Sequence, residues 1–509
     1  MKFNLYKNLK PNFHKYLGLV IVFLLFSYSV PLRLPLLGRS LGDNHEWILA
    51  QSLISLENLN NYPLSSHLFR LVITYPKTEN FHVTQWTIMR QIDNKGIGYY
   101  TTYPPFAVIW AYIITKLFSL EVSVLNLQII NLVMHGISTL FLYLTVFALT
   151  TKKRVLSALT GSAIYIFATP NLWFYSATYS WDTVWHYFSI VNLYILSRIL
   201  AISNESKKIP GLVIVFGIIN AAIIYTEFQG LFFAFSILIA LYTFHPKYKK
   251  PLTISIFISS AIALGVALTQ TSLINGFGKY SQIMMTKFFV EYGSFGNTWI
   301  TWSLSKLWGV YDDLVIPSLQ FLVCSFLVIL FSKQSFRLLT RNQTFIIIII
   351  TLTSLLHYSL MIPDLVIHEF SSLKFIILIS FLTAFFISNI HITSLKMNLA
   401  LGLITIIGLY SFITKSITTY ERLYGEVQDK YQNLATEINT TLANGEVLFF
   451  ISENVIPPQV TYYTKRNFFT VKNSNEAIDL LDKIGQQKGK VYSVDKKRKI
   501  TSIETIQVD

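Results

Sequence analysis

The chain has 509 residues, of which 52% are hydrophobic and only 13% charged, and its mean hydropathy is +0.49. Soluble domains carry roughly 25% charged residues, so the composition excludes an ordinary soluble enzyme and points to a polytopic membrane protein embedded in the lipid bilayer. The net charge of +15 reads as basic cytoplasmic loops rather than a nucleic-acid footprint, and the single Cys324 excludes an intrachain disulfide and a thiolate metal cluster.

The first apolar run, 16–37, follows Lys2, Lys7, Lys10 and Lys15 and lacks a small-residue cleavage site. It predicts an uncleaved anchor with a cytoplasmic N-terminus. Residues 38–103 then form a long exoplasmic loop, opening on Gly42-Asp43-Asn44-His45-Glu46-Trp47 and closing on Thr102-Tyr103-Pro104-Pro105. Apolar residues at helical spacing from Trp47 to Leu56 predict a helix over about Asp43–Leu59, lying on the membrane. Asp43 carries two compatible readings. It is placed to act as a general base at the membrane surface, and it has the spacing to cap that helix, with Glu46 three residues on as in a capping box.

The run 104–119, opened by Pro104 and Pro105, predicts a re-entrant or interfacial helix that does not complete a crossing. With that count, the basic groups at Lys152-Lys153-Arg154, Lys207-Lys208, Lys247/Lys249/Lys250, Lys333/Arg337/Arg341 and Lys396 all face the cytoplasm. Spans are predicted at 124–150, 155–175, 183–200, 210–226, 229–244, 252–272, 310–332, 343–362, 371–390 and 398–415. With the first run this makes eleven, and the C-terminus lies outside.

Several polar residues fall at the outer turns. Asp182 sits in Tyr179-Ser180-Trp181-Asp182-Thr183, Glu227 in Tyr225-Thr226-Glu227-Phe228-Gln229-Gly230, and His368-Glu369 follow Pro363-Asp364. A carboxylate at a span end is either solvated, a cap, or a site group, and one near hydrocarbon is costly without a partner. Together these groups suit a divalent metal ion or phosphate handling, although their spacing matches no compact metal motif. His186 and His357 read as satisfied interior histidines. Arg70, Arg90, Lys95, Lys279, Lys287 and Lys374 lie at or near the outer surface, as phosphate contacts or as interface anchors. Residues 273–309, rich in glycine and aromatics, predict an outer loop suited to a lid or a lipid contact.

From about 416 the composition becomes that of a soluble domain. Strands at 447–452, 468–471 and 490–494 alternate with helices after Pro457-Pro458 and over 476–484, which predicts a small parallel α/β domain. The chain thus divides into a membrane part, 1–415, and an exoplasmic domain, 416–509.

The acidic first-loop motif (Gly42-Asp43-Asn44-His45-Glu46), the Tyr103-Pro104-Pro105-Phe106 segment, Asp182 after Thr169-Pro170-Asn171, and the small terminal domain resemble the GT-C glycosyltransferases that use polyprenyl-phosphate sugars. The nearest branch in pattern holds the protein O-mannosyltransferases, the aminoarabinose transferases of lipid A and the RgtA/B/C/D-like enzymes. The resemblance implies an all-α polytopic core with juxtamembrane helices. It also implies an inverting transfer of a hexosyl or pentosyl group from a polyprenyl-phosphate sugar donor to an exoplasmic glycan, lipid or protein acceptor. Carried over, Asp43 is the base, Glu46 or His45 positions the acceptor, and Asp182 is a second acidic site residue. Tyr103, Pro104, Pro105, Glu227, His368, Glu369 and Lys374 are then substrate contacts.

The chain departs from that pattern in three places. Asn44 and His45 separate carboxylates that are adjacent in some relatives, Glu227 stands in a turn that often carries a lysine, and Tyr103 precedes the Pro-Pro pair where some branches have histidine. The competing class is a transporter or flippase of a lipid-linked or small polar substrate. That class places charges mid-span on broken helices within inverted repeats, and no internal repeat is visible. A catalytically dead scaffold, with the terminal domain binding a partner, is a third reading.

Overall fold

The computed structural model describes residues 2–43, 45–63, 69–75, 90–92, 97–201, 209–244, 249–286, 339–360, 372–389, 395–424, 429–443, 446–451, 458–483, 485–495 and 499–508. The expected contributions of His368, Glu369, Lys95 and Lys287, the 310–332 span and Cys324 lie outside the described residues.

The membrane part is helical. Its elements are α1 (Lys2–Arg33), α2 (Trp47–Asn61), the short antiparallel pair β1 (Arg90–Ile92) and β2 (Gly98–Tyr100), α3 (Phe106–Leu117), α4 (Val124–Leu149), α5 (Arg154–Phe167), α6 (Thr169–Ala177) and α7 (Trp181–Ala201). They continue with α8 (Ile209–Thr226), α9 (Gly230–Phe244), α10 (Lys249–Thr286), α11 (Arg341–Leu360), α12 (Leu373–Asn389) and α13 (Leu395–Tyr424). Among the described residues five helices are long and apolar enough to cross a membrane, or six if α5 and α6 count as one bent span.

Amide side chains tie one end of this bundle together. Gln128, in the first turn of α4, accepts from the Gly38 N–H at 2.7 Å and donates to the carbonyls of Leu36 (3.3 Å) and Ala177 (3.2 Å). The exit of α1, the start of α4 and the end of α6 therefore share one end of the bundle, called here the loop end. Helix α3 begins and finishes there too. The Tyr179 hydroxyl donates to the Ala107 carbonyl at 2.6 Å, and Asn126 donates to the Glu121 carbonyl, just past α3, at 2.9 Å. At 12 residues α3 is roughly 18 Å long, short of the ~30 Å hydrocarbon core.

The expected single span at 155–175 is instead two helices, α5 and α6, bent by 57°. Pro170 is the cause: it lacks the N–H that would bond the Ile166 carbonyl four residues back. Arg33, fully buried at the end of α1, takes over. Its guanidinium donates to the Ile166 carbonyl at 3.0 Å and the Asn171 carbonyl at 3.2 Å. Arg33→Met is expected to strand the Ile166 carbonyl, at about 1–3 kcal/mol, while the Asn171 carbonyl keeps its place in the α6 ladder. Thermal unfolding in nanodiscs measures the loss, and adding Pro170→Ala should restore part of it by returning a donor to Ile166. No recovery in the double variant would mean that the kink, not Arg33, sets the cost.

Three further expectations need correction. Residues 273–286 are not loop but the last turns of α10. Gly276 takes φ +83°, a left-handed conformation that glycine adopts at little cost, and the apolar span within the helix ends just before it at Ile274. Helix α2 is not buried along one apolar face alone: residues from Ile48 to Leu59 are buried on all sides but for Glu57. Asp43 does not cap it either, because the residue at the N-cap is Glu46, and no side chain makes a cap bond.

Helix α13 continues past 416 to Tyr424, and the terminal domain follows as α14 (Lys430–Thr441), β3 (Val447–Ile451), α15 (Pro458–Thr464), β4 (Phe469–Val471), α16 (Ser474–Lys483), β5 (Lys488–Val494) and β6 (Ile500–Gln507). The sheet order is β4-β3-β5-β6. The first three strands are parallel, but β6 pairs antiparallel with β5, so the sheet is mixed rather than parallel. The sequence hid β6 because it is an edge strand with only Ile506 buried and no clean alternation.

The domain is docked on the first loop. Leu41 N–H donates to the Tyr463 hydroxyl at 2.7 Å, and Gln459 donates to the Gly42 carbonyl at 2.8 Å. Asn467 brackets the backbone of Tyr75 (2.9 and 3.0 Å), and Lys465 pairs with Glu57 at 2.6 Å.

Candidate functional site

The first-loop motif is shaped from within. Arg39 pairs with Glu46 at 2.6 Å, and the Gly42 N–H donates to the same carboxylate. Glu46 is buried at 1% exposure, so its carboxylate is committed to holding this turn closed. Arg39 also lies over the Trp173 ring at 5.3 Å, and the His45 ring is 6.3 Å from Phe174, which seats the motif on α6. His45 has φ +60°, a left-handed conformation uncommon outside glycine.

Burial pushes the Glu46 carboxyl up, and Arg39 pulls it partly back. A raised carboxyl binds its proton more readily folded than unfolded, so this group's contribution is largest below the ordinary carboxylate range and is lost as pH rises through the shifted one. Glu46→Gln is expected to remove that slope, read as melting temperature between about pH 5 and 8. An unchanged slope would place the titration elsewhere.

Asp43 is the exposed member of the motif, with its side chain 43% accessible. The terminal domain reaches it: the Lys430 ammonium pairs with Oδ2 and the Tyr431 hydroxyl donates to Oδ1. Nothing in the sequence marked Lys430 or Tyr431, which lie 387 and 388 residues away.

The other carboxylates gather elsewhere at the loop end. Asp182 stands in the first turn of α7, Glu227 and Gln229 in the tight turn between α8 and α9, His357 in the last turn of α11 and Lys374 in the first turn of α12. That tight turn requires Gly230, where an added Cβ would sit 2.6 Å from the Ile224 Cα. The Lys374 ammonium is at the centre, 3.2 Å from Asp182 and 3.7 Å from Glu227. It also donates to Gln229 Oε1, lies 3.5 Å from His357 Nε2 and sits 5.4 Å from the Trp185 ring centroid. Asp182, Glu227, His357 and Lys374 are all buried.

His186, one turn beyond Asp182, is not the satisfied histidine expected. It is wholly buried, and among the described residues neither ring nitrogen has a hydrogen-bond partner. Asp43 and Asp182, expected to share one site, therefore occupy two clusters at the same end of the bundle, with different partners.

A divalent metal ion fits neither cluster as it stands. No group of three or more His, Cys, Asp or Glu among the described residues is placed to hold one. The space between Asp182 and Glu227, where a cation would bridge them, is filled by the Lys374 ammonium.

The Pro-Pro segment has its own surroundings. Tyr103 stacks on Trp181 at 4.9 Å, and Tyr100 stacks on both, at 5.9 and 5.5 Å. Behind them Arg70, Tyr103, Pro104, Pro105, Phe228 and Gln270 line a narrow cleft beside α10. The aromatic stack was hidden because Tyr100 arrives on β2, far in sequence from Trp181.

No family model and no curated protein matches the sequence. Solved structures do match in fold. The Archaeoglobus fulgidus oligosaccharyltransferase tethered with an acceptor peptide superposes with a TM-score of 0.61 at 11% identity, covering 94% of this chain and 69% of that one. The same enzyme in complex with Zn and sulfate gives 0.59 at 13%, covering 93% and 68%. ArnT from Cupriavidus metallidurans bound to undecaprenyl phosphate gives 0.52 at 11%, covering 93% of each chain. At these identities the likeness shows the fold alone: a helical core with a small terminal sheet, shared with these solved structures.

Proposed function

We propose that this chain is a membrane glycosyltransferase. It moves a sugar from a polyprenyl-phosphate donor to a glycan, lipid or protein acceptor at the loop end, which faces the exoplasm. Asp43 is the general base. The acceptor oxygen attacks the anomeric carbon, the bond to the phosphate oxygen breaks on the opposite face, the proton passes to Asp43, and the electron pair leaves on the lipid phosphate. Arg70, at the cleft lined by Tyr103, Pro104 and Pro105, is the cation assigned to that phosphate. No step is routed through a metal, although an oligosaccharyltransferase of this fold has been solved with Zn.

The carrying observation is the contact between Tyr431 and Asp43. A half-exposed carboxylate at the rim already accepts a hydrogen bond from a hydroxyl, which is the geometry an acceptor hydroxyl requires. In this reading Tyr431 holds the acceptor's place. Tyr431→Phe is then expected to lower the acceptor KM by about 10–100-fold, the worth of one hydrogen bond to a charged carboxylate, with kcat unchanged. A raised KM would show that the phenol helps to bind the acceptor instead.

The reading itself is tested with the full chain in nanodiscs. A panel of polyprenyl-phosphate sugars is offered with native membrane extract, and release of polyprenyl phosphate is followed. Release from one donor supports the transferase. No release from any donor, with an acceptor known to be present, counts against it.

A further inference from the structure

We infer that the Lys374 ammonium is a built-in cation standing where a divalent ion would bridge Asp182 and Glu227, so that this carboxylate pair works without a metal. Its relevance to catalysis rests on the transferase reading; the occupancy argument does not.

The donor set around Nζ is the kind a divalent cation recruits: two carboxylates, the amide oxygen of Gln229 and an imidazole nitrogen, brought from the start of α7, the α8–α9 turn and the end of α11. At the two carboxylates and the imidazole, though not at Gln229, the spacing is that of an ammonium. Asp182, Glu227 and His357 lie 3.2, 3.7 and 3.5 Å from Nζ, whereas metal–ligand bonds run about 2.0–2.6 Å. The lysine is tethered in the first turn of α12 and buried at 2% exposure, so an incoming ion competes with a cation already attached to the site. It must also push that ammonium into a neighbourhood that includes the Trp185 face.

A second observation points the same way. His186, on the turn of α7 that follows Asp182, is fully buried, and among the described residues neither ring nitrogen has a hydrogen-bond partner. One helical turn from Asp182, it is a spare nitrogen ligand for an ion admitted once the ammonium is gone.

Removing the ammonium should therefore uncover a metal site. The full chain is chelator-washed in nanodiscs and titrated with MnCl2 by electron paramagnetic resonance. Wild type and Asp182→Asn are expected to give the same titration. Lys374→Gln is expected to gain one tightly held Mn2+, lost again in Lys374→Gln/Asp182→Asn, and added Mn2+ should raise its melting temperature. Lys374→Ser repeats the test should the glutamine variant fold poorly. Asp182-dependent Mn2+ binding by wild type overturns the inference. So does a folded Lys374 variant that gains no ion. Where transfer is detected, chelated wild type should keep its full rate, and a rate restored only by Mn2+ would also overturn it. Failure of all donors to react removes the proposed function and leaves the binding result standing.

Discussion

Asp43→Asn is expected to lower transfer by about 10²–10⁴-fold, the usual contribution of a general base, while leaving the fold in place. Asparagine preserves the shape of the side chain, and its amide oxygen still accepts from the Tyr431 hydroxyl, but it cannot take a proton. The structural cost is small because the pair with Lys430 is partly solvated on both sides, 28% and 43% exposed; such pairs are worth about 0–1 kcal/mol. Glu46→Gln is the contrast. It alters a buried turn, so its effect should appear in stability before activity. The measurement is single-turnover release of polyprenyl phosphate alongside a melting curve. An Asp43→Asn enzyme releasing lipid phosphate within a few-fold of wild type would remove Asp43 as the base and leave the acceptor to another group at the loop end.

Local pattern carried much of this fold. Apolar runs located the helices, proline pairs marked the entries to α3 and α15, and the turn residues Asp182 and Glu227 were visible as polar interruptions. Partnership was not visible. Lys374 lies 192 residues from Asp182 and 145 from Gln229, and nothing in either neighbourhood announces the other. Read alone, Lys374 was a cation for lipid phosphate. Set among two carboxylates its charge is more than balanced, so a phosphate there would meet a net negative neighbourhood. Asp43 was likewise visible as a carboxylate at the head of the first loop, but its neighbours come from a domain whose docking depends on Tyr463, Gln459 and Asn467, residues with no local signature. The bend at Pro170 had a visible cause, yet its compensation by Arg33 appears only once α1 lies against α6.

Lys374→Met should be the most destabilising single change in the membrane part. The ammonium and the two carboxylates are each at most 3% exposed, and removing one partner of a buried ion pair costs about 3–5 kcal/mol because the remaining charge is left uncompensated. Here two carboxylates are left facing each other at the junction of α7, α8, α9 and α12. Lys374→Arg should not rescue fully, since a planar guanidinium cannot place its donors around one point as an ammonium does. The informative comparison is the triple change Lys374→Met/Asp182→Leu/Glu227→Met. Well-packed apolar replacements of a buried ion cluster are often neutral or stabilising, so the triple variant should melt well above Lys374→Met. If the cluster only fastens helix ends, the triple variant will also transfer sugar normally. If it belongs to the site, stability returns and activity does not. A Lys374→Met protein that melts with wild type would show instead that the three charges are not a coupled buried set.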